Sequence, residues 1–324
     1  MAEPARLVDV VRSGFVESVH RGSVAVTGGD GRVVAWAGDP ELRVNARSCM
    51  KPLQAAVTLS LVDDPLSDAE IAVMCASHNG EPQHIQQVEA ILRRAGLGSE
   101  HLRCPSARPM DPELDRSASG PDRRYHNCSG KHAGMLLACA RQGWDPETYR
   151  SPEHPLQQRI LEAVRTATGE EPSIGVDGCG VPVHAITLRG MATIFARLAN
   201  PAALGELGGP ARRAVAAMRA EPYLVAGRER LDTDAMTTVP HLLVKSGAEG
   251  LGSAALLDRT LGIAVKTEDG AHRAVPPVLL RTVEALGGLD ADARVRLERY
   301  AEPPVMGGEE RVGSLVPAFE LERA

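Results

Sequence analysis

Residues 7–36, LVDVVRSGFVESVHRGSVAVTGGDGRVVAW, decide the fold class. Leu7–Arg12, Phe15–Arg21 and Val24–Thr27 are short, valine-rich runs of strand character. Gly28-Gly29-Asp30-Gly31 reads as a turn before a further strand, Arg32–Trp36, so the chain opens as an antiparallel meander. Helical signals follow. A first helix is predicted over Ser48–Leu61, a second over Asp68–Cys75 behind a Ser67/Glu70 capping box, and a third over Pro82–Ala95, stopped by Gly96. Further helices are predicted at Lys131–Gln142, Pro155–Thr168, Leu188–Ala199 and Pro210–Ala220, while Leu102–Tyr125 is a loop able to cover a site. Strands return at His241–Ser246, Ser253–Leu257 and Gly262–Lys266, then a helix at Pro277–Leu286 and a closing strand near Gly313–Val316. Strands at both ends with helices between them predict an α+β fold: one antiparallel sheet built from the N- and C-terminal strands, with a helical lobe over roughly 48–220 inserted. The whole chain, 1–324, is read as a single domain.

The 324 residues are 43% hydrophobic, ample for a core, and carry a net charge of -6 with interspersed signs. No basic stripe is present, so nucleic acid is excluded as a partner, and no run of eighteen apolar residues offers a membrane span. Met1-Ala2-Glu3-Pro4-Ala5-Arg6 has no apolar stretch behind it, which predicts a cytoplasmic protein with reduced thiols. Cys49, Cys75, Cys104 and Cys139 lie in apolar or small-residue surroundings and read as buried packing residues. Cys128 and Cys179, in glycine-rich turns, do not.

Lysine is scarce. Four lysines stand against thirty-two arginines, and three of the four lie in Ser/Cys/Gly clusters: Ser48-Cys49-Met50-Lys51, Cys128-Ser129-Gly130-Lys131-His132 and Lys245-Ser246-Gly247. A chain that uses arginine for ordinary positive charge keeps lysine where an amine must be able to lose its proton. Ser48-x-x-Lys51 at a helix start puts hydroxyl and amine about one turn apart, within reach for the amine to take the serine's proton. Pro52 agrees with a helix N-terminus there. Ser77-His78-Asn79 after a helix and Lys245-Ser246-Gly247 on a strand complete an ordered triplet like the S-x-x-K, S-x-N and K-T-G elements of penicillin-recognising serine enzymes. In that reading Ser77 relays protons, and Lys245 either holds a substrate carboxylate or lowers the pKa of Lys51 by repulsion. For Cys128-x-x-Lys131 and Asp177-Gly178-Cys179-Gly180, spacing alone leaves a zinc site and plain loop thiols both open.

Four motifs, Ala46-Arg47-Ser48-Cys49-Met50-Lys51-Pro52-Leu53-Gln54, Ala76-Ser77-His78-Asn79-Gly80-Glu81, Asn127-Cys128-Ser129-Gly130-Lys131-His132-Ala133-Gly134-Met135 and Asp177-Gly178-Cys179-Gly180-Val181-Pro182, together resemble the asparaginase II family, the inducible, Rhizobium-type L-asparaginases. The resemblance spans nearly the whole chain. It implies a single catalytic domain similar in fold to serine β-lactamases and glutaminases, and a homodimeric amidohydrolase acting on L-asparagine. Ser48 and Lys51 then match nucleophile and base, and Ser77 and Lys245 the second serine and second lysine. A zinc ion would be held by Cys128, Lys131 and Cys179, with Asp177 and His132 behind them. Arg47, His78, Asn79, Gly80, Glu81 and His132 are expected to line the substrate, with Lys245, Arg47 and Glu81 as candidates to grip its charged ends. A glutaminase, a β-lactamase-like hydrolase and a non-catalytic zinc scaffold are the competing readings.

Overall fold

The computed structural model describes residues 2–324. It divides into two compact units: Met1–Cys49 with Ile186–Asn200 and Asp234–Ala324, and Met50–Ala185 with Pro201–Thr233.

The first unit is built on an antiparallel sheet. Its strands run in the order Pro304–Gly307, Glu310–Pro317, Ala5–Arg12, Phe15–Gly28, Leu261–Thr267, Leu251–Leu256, Leu242–Ser246. Val33–Ala37 also pairs with Phe15–Gly28 and carries the terminal Glu322–Arg323. Strands from both chain ends thus share one sheet, as the order of sequence signals requires. The register matches Asp9 with Val316, Val24 with Val265 and Lys245 with Ser253. The two strands expected at 15–21 and 24–27 form one continuous strand. Gly22 permits this, because a Cβ there would strike the carbonyl of Lys266 on the neighbouring strand, and only glycine allows such an approach. The Gly28–Gly31 turn closes by Gly31 N–H donating to Gly28 O at 3.0 Å. Leu242–Ser246 and Leu251–Leu256 are buried at every position. Strands covered on both faces read as apolar runs rather than alternation, which Leu242-Leu243-Val244 does. The helices Leu188–Ala199 and Val275–Ala285 pack on this sheet. Val24, Val26, Ile263, Val265 and Leu243 are fully buried, each contributing about 1.5–3 kcal/mol of apolar burial.

The second unit is helical. Its core helix, Ser129–Gln142, has its first eleven residues buried and packs against Lys51–Ser60, Asp68–Met74 and Pro82–Ala95. Gly130 and Gly134 allow the closeness, since a Cβ on either would meet the Val73 carbonyl or the Met74 side chain. The helix Asp68–Met74 starts at the Ser67/Glu70 capping box, with both reciprocal bonds made. Pro155–Thr168 and Gly208–Ala220 complete the bundle, and Ser173–Val176 pairs antiparallel with Pro182–Thr187. The expected loop at 102–125 contains a short helix, Pro112–Ser117, and an Ala107–Asp122 bridge. Among the described residues no helix is long and apolar enough to cross a membrane.

Candidate active site

The first motif is bent before it becomes helix. Arg47 has φ 44, in the left-handed region that a non-glycine residue occupies only under strain, and such strain clusters at functional sites. Arg47–Met50 is one turn of 3-10 helix that runs into Lys51–Ser60, with Pro52 in the first helical turn. Ser48 stays half-buried while Cys49 and Lys51 are fully buried. Within the sheet unit, the Cys49 thiol donates to the carbonyl of Lys245 at 3.2 Å, which ties the residue after Ser48 to the strand bearing the second lysine. Lys245 is itself fully buried and donates to Ser246 O at 2.8 Å.

Within the helical unit, Lys51 Nζ meets the carbonyls of Ala76 at 2.5 Å and Asn127 at 3.2 Å and the Ser77 hydroxyl at 3.0 Å. The two carbonyls can only accept, so each takes an N–H. The third partner is a hydroxyl, which accepts from an ammonium or donates to an amine lone pair. Toward these three partners, lysine fits with or without its third proton. Ser77 and Asn79 are held in place by N–H bonds to the carbonyls of Val225 and Ala226, each at 2.9 Å.

His78 is fully buried and both its ring nitrogens are occupied by protein. Nδ1 accepts from Gly80 N–H at 3.1 Å, and Nε2 donates to Ser129 Oγ at 2.9 Å, because the Ser129 hydroxyl is itself committed to the Arg124 carbonyl at 2.8 Å. Burial first, then His84 and Lys51, hold its pKa well below the ordinary imidazole range. His78 is thus a neutral brace between the Ser77 loop and the start of helix Ser129–Gln142. Gly80 has φ 77. Glu81 caps helix Pro82–Ala95 reciprocally with His84; its carboxylate accepts from Asn79 Nδ2 at 3.0 Å, from Arg228 N–H at 3.1 Å and from the Tyr223 hydroxyl. His132 is fully buried and bonded through Nδ1 to Tyr149 OH at 2.6 Å, and among the described residues its Nε2 has no partner.

The third lysine has different company. Lys131 Nζ donates to Cys179 Sγ at 3.1 Å and lies 3.9 Å from Asp177, while the Cys179 thiol points to Asp177 Oδ2 at 3.3 Å and that of Cys128 to Asn127 Oδ1 at 3.1 Å. Hydrogen bonding from Cys179, reinforced by Lys51 and Lys131, pulls Cys128 well below the usual thiol range; the same bond and burial push Cys179 up. Burial alone would lower Lys131, but the two sulfurs and Asp177 outweigh it and raise it. Among the described residues no three His, Cys, Asp or Glu side chains group as a metal site. A metal here needs the lysine as a donor. Two buried sulfurs and a buried amine nitrogen do fit zinc as donors.

The sequence singled out the three lysines and their clusters but gave no role to Asn127, Ser129, Tyr223 or Arg230. Asn127 and Ser129 lay inside a quoted motif, yet only the fold shows that the Asn127 carbonyl faces Lys51 and its side chain Cys128. Tyr223 and Arg230 sit far along the chain from the motifs, with no local signal.

No curated protein matches the chain. Solved structures with a similar backbone include Mglu (18% identity, TM-score 0.48, 82% of this chain and 67% of that one). They also include the Bacillus subtilis glutaminase YbgJ in covalent complex with 5-oxo-L-norleucine (13%, 0.48, 89% and 92%) and a putative β-lactamase from Bacteroides dorei DSM 17855 (13%, 0.46, 81% and 93%). The family model of L-asparaginase II matches residues 8–317. With that match over nearly its full length, the chain belongs to the L-asparaginase II family of amidohydrolases.

Proposed function

We propose that this protein hydrolyses the side-chain amide of L-asparagine to L-aspartate and ammonia through an ester intermediate on Ser48. The observation that carries the reading is the cradle of Lys51, two carbonyls and one hydroxyl around a buried amine. An amine so placed can take up and return a proton without rearranging its neighbours. In the proposed sequence, neutral Lys51 takes the Ser48 proton and Ser48 Oγ attacks the carboxamide carbon. Backbone N–H groups at the helix start stabilise the oxyanion. The C–N bond breaks as ammonia receives a proton relayed by Ser77, and water then cleaves the aspartyl ester by the reverse path. Lys245, on the strand tied to Cys49, is proposed to assist as the second lysine.

Cys128, Lys131 and Cys179 would hold zinc, with Asp177 and His132 behind them. When bound there, the ion supplies a fixed positive charge that orients the substrate or pins the two loops. Binding it requires the lysine and the thiols to give up their protons. The chain is proposed to work as a single catalytic domain in a cytoplasmic homodimer, which sedimentation of the purified protein checks. Ammonia release from asparagine, glutamine and a penicillin, before and after Ser48→Ala, tests the activity. The reading expects asparagine turnover that the substitution abolishes, and penicillin or glutamine as the better substrate would replace it.

A further inference from the structure

Several arginines of the helical unit are matched with acids: Arg94 with Glu70, Arg141 with Asp64, Arg124 with Glu89 and Asp122, Arg228 with Asp111. Arg230 is different. Half-buried, it places Nη1 at 2.8 Å from Asn79 Oδ1 and 3.7 Å from the Met110 sulfur, and among the described residues it has no carboxylate partner. Among the described residues, its Nε and Nη2 donors meet no acceptor. The loop presenting it is strained, with Gly227 at φ 114 and Glu229 at φ 58, and it is fastened to the Ser77–Glu81 segment through Asn79 Nδ2 on Arg228 O at 3.0 Å and Arg228 N–H on Glu81 at 3.1 Å. Asn79 lies two residues from Ser77, at most about 7 Å along extended chain. The positive field of Arg230 is felt nearby, where burial, partly offset by Glu81 and reinforced by Arg230, lowers His84 to about 4.

An unmatched guanidinium aimed by a carboxamide next to the proton-relay serine is a receptor for an anion. Its planar fork suits a carboxylate, which it can bind by two parallel N–H bonds. We propose that Arg230 is a specificity-determining residue that binds the α-carboxylate of the substrate, so that the enzyme takes free amino-acid amides and rejects asparagine within a peptide. The proposal rests on the amide-hydrolase reading above.

The test compares the wild type with Arg230→Gln, which keeps a donor for Asn79 but loses the charge, with Arg230→Lys, and with Arg228→Met as a neighbouring control. Each is assayed on L-asparagine, on succinamate, which lacks the ammonium, and on 3-aminopropanamide, which lacks the carboxylate. Arg230→Gln should raise KM for the first two on the order of 10²-fold, with kcat little changed and 3-aminopropanamide handled as by the wild type. Arg230→Lys should recover part of the loss, and Arg228→Met should resemble the wild type. Equal losses on all three substrates would assign Arg230 a structural role and overturn the proposal, as would no loss on any. If the wild type hydrolyses none of them, the amide reading fails by itself, and calorimetry with L-aspartate then decides Arg230. Binding weakened more than tenfold in Arg230→Gln supports it, and equal binding overturns it.

Discussion

Lys51 and Lys131 are both buried in the helical unit, at 0% and 4% exposure, yet their surroundings differ in kind. Lys51 is cradled by the carbonyls of Ala76 and Asn127 and the hydroxyl of Ser77. Lys131 is gripped by the sulfurs of Cys128 and Cys179 and by Asp177, which raise its pKa against burial. In the proposed mechanism the lysine beside Ser77 carries a proton, while the sulfurs and Asp177 hold the other as a cation, since opposite charge favours the ionised form while a hydroxyl serves either form. Only a ligand that replaces its proton, such as a metal ion, releases Lys131 from that state. Asn127 touches both regions, its carbonyl on Lys51 and its side chain on Cys128.

The contrast breaks most visibly in activity. Lys51→Met and Ser48→Ala should each cut kcat by at least about 10³-fold with the near-ultraviolet spectrum unchanged, and the double variant should be no worse than either. Additive losses in ammonia-release assays would show that the two residues do not act as a unit. Next comes stability and metal content. Lys131→Met leaves Asp177 and the two sulfurs without their buried cation, which should lower the unfolding free energy by about 3–5 kcal/mol in urea titrations of metal-free protein. Elemental analysis should find about one zinc per chain, lost in Cys128→Ser, Cys179→Ser and also Lys131→Arg, because a guanidinium stays protonated. Full metal content in Lys131→Arg would remove the lysine from the donor set.

Lys245 extends the comparison to the sheet unit. If it supports the base, Lys245→Met should reduce kcat on the order of 10²-fold with KM for asparagine little changed. A rise in KM alone would make it a second carboxylate anchor beside Arg230. The smallest effect belongs to an ion pair away from the chemistry. Burial alone would raise the Glu70 carboxyl, but hydrogen bonds from Arg94 and Ser67 outweigh it and hold it below the usual range. A carboxyl with a depressed folded pKa adds stability that is present above its unfolded value of about 4.3 and is lost as pH falls through the folded value. Glu70→Gln should therefore cost about 1–2 kcal/mol at neutral pH, discounted because Arg94 is 35% exposed, and the difference from wild type should vanish in acid. A deficit that persists at low pH would assign the effect to packing.

Helix limits were legible wherever the stop signals were local. Pro82–Ala95, Pro155–Thr168 and Leu188–Ala199 fall where proline, glycine and periodicity place them. Strand limits were less so, because Phe15–Gly28 is continuous only through the tolerance of Gly22 for its neighbour. Periodicity is also silent on packing partners, so nothing in residues 188–199 says that this helix lies on the sheet of the first unit. In the site, the lysine clusters announced themselves by composition. The brace of His78 on Ser129 and the unmatched Arg230 depend on residues 51 and 151 positions apart, and such pairings leave no mark in a single sequence.

The central claim is an aspartyl ester on Ser48 formed with Lys51 as base. Acid-quenching the enzyme during steady turnover of L-asparagine, followed by peptide mass analysis, reads it directly. The account predicts one aspartyl group added to the peptide containing Ser48, absent in Ser48→Ala and in Lys51→Met. An aspartyl adduct on a different residue, or undiminished turnover by Ser48→Ala with no adduct anywhere, would contradict it.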